Sequence, residues 1–451
     1  MPKKKGGKKG KKGKGKASAP IIEQYTTAAI LEERGKMLCP RLGDNYEKSS
    51  HVHAILDGVV EKLIQKVAKK RLIELKLSGL KMHALPDMSL ILPELQTLED
   101  VNLSKNNLFN TVQVFALLSQ LSKIKKVDLS ENFLNGSVPD CAVAMTELEE
   151  LNLDRNQITD LGMNIVDKWQ NLKVLQLNDN ALHTLPAEAK EWKKLEILNL
   201  KSNQLTEISG ELLGSWKQLK KLYLGGNHIQ VVPDSLGDCA QLQELDLSSN
   251  QIEELPKSIS QCYDLELLHL GNNKLLDFSA DIFINLKKLK ELQLYKNKIQ
   301  VVPPEVGNLK CIKRLSFASN QIKGLPEEIG SCTTLEELYV SNNPKFSYIP
   351  PSSGHLRSLQ ALSAYKCPAL KQVPTTLLEM SSLKELDLRA VKKNVCKITP
   401  ECMDSFKAQK CVVRGGVVKK IKADLKAPPG MGGKPPEEGA EGESGEGAPA
   451  A

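Results

Sequence analysis

Leu242-Gln243-Glu244-Leu245-Asp246-Leu247-Ser248-Ser249-Asn250-Gln251-Ile252 is one statement of a phrase that returns along most of the chain. Its skeleton is L-x-x-L-x-L-x-x-N-x-L, with conservative exchanges. The asparagine recurs as Asn106, Asn132, Asn156, Asn180, Asn203, Asn227, Asn250, Asn273, Asn297, Asn320 and Asn343, at steps of 23 or 24 residues after a first step of 26. Within the phrase, leucines alternate with other residues. They fall on one face of a short strand and the remaining residues on the other. One such strand cannot bury its leucines alone, so neighbouring units must stack into a shared core. The asparagine stands where the strand ends and the chain turns. Its amide is both donor and acceptor, which predicts a ladder of asparagines bonded to the backbone of their own and adjacent turns.

A period in the twenties carrying this phrase is identified as that of a leucine-rich repeat. The expected fold is α/β: a horseshoe-like solenoid with a parallel sheet on its concave side and helical caps. Upstream, Leu72, Leu75, Leu77 and Met82 make a unit with Leu80 in the asparagine slot; downstream, Cys367 and Val391 take that slot. This gives about fourteen units between 72 and 395, or a sheet on the order of 60 Å long. Many units continue with L-P-x-x-[IL], as in Leu185-Pro186, Leu255-Pro256 and Leu325-Pro326. Proline donates no backbone hydrogen bond and suits the convex return, often as the entry to a short helical turn. The 26-residue step has room for a longer convex helix around Val114, Ala116, Leu117, Leu118 and Leu121.

The remaining chain divides by composition. Residues 1–45 form a basic leader whose first 16 residues hold nine lysines among glycines; this composition favours disorder. Residues 46–71 carry a capping helix, because Val52, Ile55, Leu56, Val59, Val60, Leu63, Ile64 and Val67 form one apolar stripe. Ser49 or Ser50 is its expected N-cap. After the repeats (72–395), residues 396–426 form a C-terminal cap with a helix opening at Thr399-Pro400, and Met403 and Phe406 facing the last repeat. The stretch from Val412 is short, amphipathic and basic, and its packing is left open. Residues 427–451 are rich in Pro, Gly, Ala and Glu and read as a disordered tail. Of the net charge of +8, about +3 remains once residues 1–16 and the tail are set aside, so the basic balance belongs mainly to the lysine-rich start.

No apolar run reaches transmembrane length, and no secretory signal opens the chain. Ten cysteines are scattered, and Cys239, Cys262 and Cys332 share a slot three residues before the opening leucine. Buried thiols filling a repeated core position explain this, and a reducing, cytoplasmic setting is expected. Nuclear, cytoskeletal or ciliary placement follows if the lysine leader attaches to an acidic surface. There is no C-x-x-C or H-E-x-x-H metal pattern, and Gly430-Met431-Gly432-Gly433-Lys434 lacks the spacing of a phosphate loop. The reading is of no enzyme, cofactor, metal or small-molecule substrate.

A binding face follows from the register. The open side of the strands carries a central column through Tyr223, His269 and Tyr339, a flanking column with Tyr295 and Tyr365, and another with Val174, Ile197, Leu267 and Arg314. Four of the eight tyrosines project there, and aromatics are favoured interface anchors. The first units are instead polar and charged, with Asp100, Lys126, Asp128, Glu150 and Asp154. The expected partner is another protein, seated between Tyr223 and Tyr365.

The stretches Val302-Pro303-Pro304-Glu305-Val306-Gly307 and Leu325-Pro326-Glu327-Glu328-Ile329-Gly330 resemble the cytosolic Ras-group and Scribble-like leucine-rich repeat scaffolds. That resemblance covers residues 180–375 well and 72–180 loosely. It implies a scaffold or adaptor in intracellular signal transduction, with a small GTPase or a phosphatase or kinase pathway member as partner. Two other roles are compatible with the leader: a structural component of a cytoskeletal or ciliary assembly, and a nucleic-acid or ribonucleoprotein binder.

Overall fold

The computed structural model describes residues 47–86, 92–278, 280–283, 285–390 and 396–420. The lysine leader and the acidic tail lie outside the described residues. The repeats belong to a compact unit that begins at Val59.

Fifteen strands form one sheet in chain order, and neighbours run parallel. Fourteen are the three- or four-residue strands of the repeat phrase, from Glu74–Lys76 to Glu385–Leu388. Equivalent positions face each other: Leu245 lies between Leu222 and Leu268. In each strand the central leucine or valine is buried and its neighbours are mostly half-exposed. The fifteenth strand, Val412–Gly415, pairs with Glu385–Leu388. A two-residue strand at Val417–Val418 pairs with Lys397–Ile398. Residues 412–418 thus pair as a final, largely exposed rung, while 421–425 lie outside the described residues.

Each strand ends in a left-handed turn. The residue before the asparagine has positive φ even when it is not glycine, as at Arg155 (φ 55) and Ser249 (φ 54). Such a conformation costs about 1 kcal/mol or more, and the ladder offsets it. Asn250 Nδ2 donates to Leu224 O of the preceding rung (2.9 Å) and to Leu247 O of its own (3.1 Å), while Oδ1 accepts from Ile229 N (3.0 Å). The other ten asparagines repeat this bond to the rung before. Where Cys367 replaces the amide, its Sγ donates to Val340 O at 3.2 Å.

The slot three residues before the opening leucine is fully buried, and it is filled by Trp169, Trp192, Trp216, Cys239, Cys262 and Cys332 among others. Leu309, Leu356 and Met380 fill it with no donor, but an indole or thiol there can bond a carbonyl of the preceding convex turn. Trp216 Nε1 donates to Ala189 O (2.9 Å) and Cys332 Sγ to Val306 O (3.3 Å). Indole and thiol are interchangeable there because both join apolar bulk to one donor. Burial pushes the thiols up, Cys239 and Cys332 to about 11 and Cys262 to about 12.

The ends show one correction. The N-terminal helix is Glu47–Lys70, so Ser49 and Ser50 lie inside it rather than capping it; Glu47 and Lys48 are strong helix formers and extend it. Val60, Ile64 and Val67 are buried, whereas the stripe from Val52 to Leu56 and Val59 lie outside the described side chains. At the other end, Thr399 Oγ1 accepts from Cys402 N (3.2 Å) to cap the helix Pro400–Ala408. Phe406 is buried and Met403 packs against the core. The long convex step forms the helix Thr111–Leu118, with Val114, Phe115 and Leu118 buried.

Candidate protein-binding face

The three-residue strands decide which side chains reach the open face. With the middle residue committed to the core, the first and third point away from it. The register sets Val174 beside Ile197, Tyr223 between Asn199 and Asp246, His269 beside Gln293, and Arg314 between Glu291 and Glu337. Leu267 stands between Glu244 and Glu291. The residues therefore share one face without converging on one point: Val174 and Tyr365 are eight rungs apart, on the order of 40 Å.

Around Tyr223 the face is a closed polar network. The Tyr223 hydroxyl donates to the Glu244 carboxylate, which also takes Lys221 Nζ at 2.8 Å. Lys201 Nζ lies 5.0 Å from the Tyr223 ring centre and pairs with Asp246 at 2.6 Å. Burial, then the bond to Glu244, raises the Tyr223 pKa. Burial pushes the Glu244 and Asp246 carboxyls up, but their lysine and hydroxyl partners outweigh it and hold both below the usual range. One rung group further, Glu291 accepts from His269 Nε2 (3.1 Å), Gln293 Nε2 (3.1 Å) and Arg314 Nε (2.8 Å).

The later tyrosines are held by three different means. Tyr339 donates to Glu337 Oε2 at 2.9 Å, and burial together with that bond pushes it up to about 12. The Tyr365 ring has Lys366 Nζ at 5.0 Å and Arg389 Cζ at 5.1 Å. Tyr295 lies over Gly271, where a Cβ would overlap its ring, so the absent side chain makes its seat.

The tyrosines are thus half-buried and braced rather than standing proud. The sequence reading missed the carboxylates on this face: Glu244 and Glu337, which hold Tyr223 and Tyr339, and Glu291, which gathers His269, Gln293 and Arg314. Their signal was available: they occupy the same column as Lys221 and Arg314, one repeat from Tyr223, His269 and Arg314 or two residues from Gln293 and Tyr339 in the same strand. The first rungs differ. Lys126 pairs with Glu150 (2.5 Å). Asp154 is pushed up to about 6 by burial, partly countered by the Asn178 N–H and reinforced by Asp179 and Asp128. Among the described residues, no group of three or more His, Cys, Asp or Glu could hold a metal ion, and no helix is long and apolar enough to cross a membrane.

Comparison with known proteins agrees with this geometry. The family described as "Leucine rich repeat" matches residues 96–158, 146–191 and 193–252; "Leucine Rich repeats (2 copies)" matches 240–285, and "Leucine-rich repeat region" matches 272–410. A probable serine/threonine-protein kinase, pats1 of Dictyostelium discoideum, is 37% identical over 116 residues, which is 25% of this chain and only 4% of that protein. Among solved structures, a leucine-rich repeat protein of Leptospira interrogans is 28% identical with a TM-score of 0.66, covering 77% of this chain and 97% of its own. The Arabidopsis receptor kinase HAESA, in complex with the peptide hormone IDA and the co-receptor SERK1, is 25% identical with a TM-score of 0.58, covering 70% of this chain and 52% of its own. InlJ of Listeria monocytogenes, at 18% identity and a TM-score of 0.56 over 73% of this chain and 74% of its own, shows the fold alone. Repeat phrase, asparagine ladder, parallel sheet and family matches together show that this chain belongs to the leucine-rich repeat proteins.

Proposed function

We propose that the protein is a non-enzymatic scaffold or adaptor that binds another protein on the open face of its sheet between Tyr223 and Tyr365. The observation that carries this reading is the bracing of the face: Glu244, Glu291 and Glu337 fix side chains that would otherwise lose rotamer freedom on binding. A pre-ordered surface spends less of its contact energy on ordering. Because the Tyr223 and Tyr339 hydroxyls already donate, the partner is expected to bring donors and apolar atoms. The HAESA complex with a peptide hormone and a co-receptor supports a polypeptide ligand. A cytoplasmic signalling role, with a small GTPase or a phosphatase or kinase pathway member as partner, belongs to the same proposal and rests on the Ras-group resemblance.

The test replaces Tyr223, Tyr295 and Tyr339 with alanine and compares co-purifying proteins with those of the wild-type chain. Loss of the main partner with an unchanged thermal melt is the expected result. A folded variant that keeps every partner would sink the proposal.

A further inference from the structure

Six of the eight phenylalanines are no more than 5% exposed, as the core requires. The other two, Phe109 and Phe133, are 55% and 52% exposed, and Val112 beside them in sequence is 61% exposed. They sit on adjacent rungs past the asparagines, off the open face. We propose that Phe109, Val112 and Phe133 form a second docking surface, which takes a short, uncharged segment of a partner protein presenting aliphatic or aromatic side chains. This does not rest on the concave-face proposal.

The backbone that carries these residues is tightly tied. Phe133 N donates to Leu108 O at 2.8 Å. Thr111 Oγ1 donates to Asn135 O (2.7 Å) and accepts from Asn135 N (2.9 Å). Asn110 Oδ1 caps the helix Thr111–Leu118 by accepting from Gln113 N at 3.0 Å. Asn135 Nδ2 donates to Phe109 O at 3.4 Å. The patch is therefore held out by a stiff loop, and aromatics presented this way bind with little ordering loss.

The surroundings choose the chemistry. Asn107, Asn110, Gln113 and Asn135 flank the patch along the chain without charge, and Lys105 and Glu131 are the nearest charged residues in sequence. The nearby charges are spent on one another, with Glu131 taking Lys105 at 3.8 Å and Arg155 at 3.6 Å. A charged partner segment would lose hydration over the rings and gain at most a solvent-exposed ion pair, which offsets little of that loss. Size chooses between a peptide and a second copy. Two half-exposed phenylalanines and a valine offer roughly 300 Å², whereas a stable dimer needs about 800 Å² from each copy. The patch matches two or three side chains of a short segment.

The test pans a random dodecapeptide phage library on the full chain and re-tests enriched peptides on Phe109→Ser/Phe133→Ser and on Tyr223→Ala/Tyr339→Ala. Equal thermal melts establish that the exposed serines leave the fold intact; should the double variant melt early, Val112→Ser alone is used. The expected peptides carry at least two large apolar residues and few charges, bind the phenylalanine variant about tenfold more weakly, and bind the tyrosine variant as they bind wild type. Peptides that bind all three alike, or a library that yields none dependent on these residues, overturn the proposal. So does a wild-type dimer in sedimentation that Phe109→Ser/Phe133→Ser abolishes, because a second copy is then the occupant.

Discussion

Asn250 makes the strand end and the stack the same problem. Its amide bonds two rungs at once, and its backbone neighbours Leu224 and Ile229 belong to the preceding unit. Removing it leaves the Leu224 carbonyl and the Ile229 N–H without that partner in a dry core, and each such group costs about 1–3 kcal/mol. Asn250→Ala should therefore lose about 3 kcal/mol, read as a fall in the denaturant midpoint; a change under half that size would show the ladder to be dispensable. Cys367 marks the limit of the rule. A thiol supplies the donor to Val340 O but no acceptor like Oδ1, and it appears only where the regular ladder has ended.

At the scale of elements, one glycine records what its neighbour is. Convex 3-10 turns carry Gly237, Gly307, Gly330 and Gly354 just after their buried apolar or serine position. In each case the next rung's convex segment is also a 3-10 turn, and a Cβ would press on its carbonyl: 2.6 Å from Ser258 O at Gly237, 2.8 Å from Glu328 O at Gly307. Where an α-helix follows instead, the same slot holds Val143, Lys190, Ser260 or Leu378. Two 3-10 turns pack closer than a 3-10 turn and a helix, and only the former pair excludes a side chain. Gly354→Ala, whose Cβ would lie 2.6 Å from Thr376 O, should destabilise by about 2 kcal/mol. Ser260→Gly should gain nothing from relieved contact. Equal melting temperatures for Gly354→Ala and wild type would refute the rule.

Over the whole molecule, stability is a sum of rungs and their interfaces, and exposed charge adds little to it. Pairs such as Lys125–Glu99, Lys173–Glu149, Lys220–Glu196 and Lys290–Glu266 run along one edge at 2.6–2.9 Å. Exposed pairs of this kind contribute roughly 0–1 kcal/mol each. Asp154 has a larger and opposite effect. Its pKa is about 6 in the fold and returns to the ordinary aspartate range when the chain unfolds. Between those values the folded state binds more protons, so stability falls as pH rises through the window. Above about 6 the penalty is complete; below the ordinary range both states are protonated and it vanishes. Asp154→Asn keeps an oxygen for the Asn178 N–H and should stabilise by about 1 kcal/mol near neutral pH, after discounting for a side chain only partly buried. The gain should disappear at about pH 3. A gain that persists in acid would assign the effect to packing instead.

The sequence by itself determined the period, the strand positions, the asparagine ladder and the shared slot of Cys239, Cys262 and Cys332, because these follow from alternation and from stacking identical units. It placed Tyr223, Tyr295, Tyr339 and Tyr365 on one face for the same reason. It left open how they are held there. That Glu244 binds Tyr223 while Glu291 gathers His269, Gln293 and Arg314 depends on distances between rungs, which a one-dimensional register does not contain. Tertiary structure also decided that Val412–Gly415 closes the sheet, since its pairing is with Glu385–Leu388 and not with anything local. Phe109 and Phe133 were legible as residues but not as exposed ones: within a chain whose other phenylalanines fill the core, only the three-dimensional path of the chain just past Asn106 and Asn132 turns them outward.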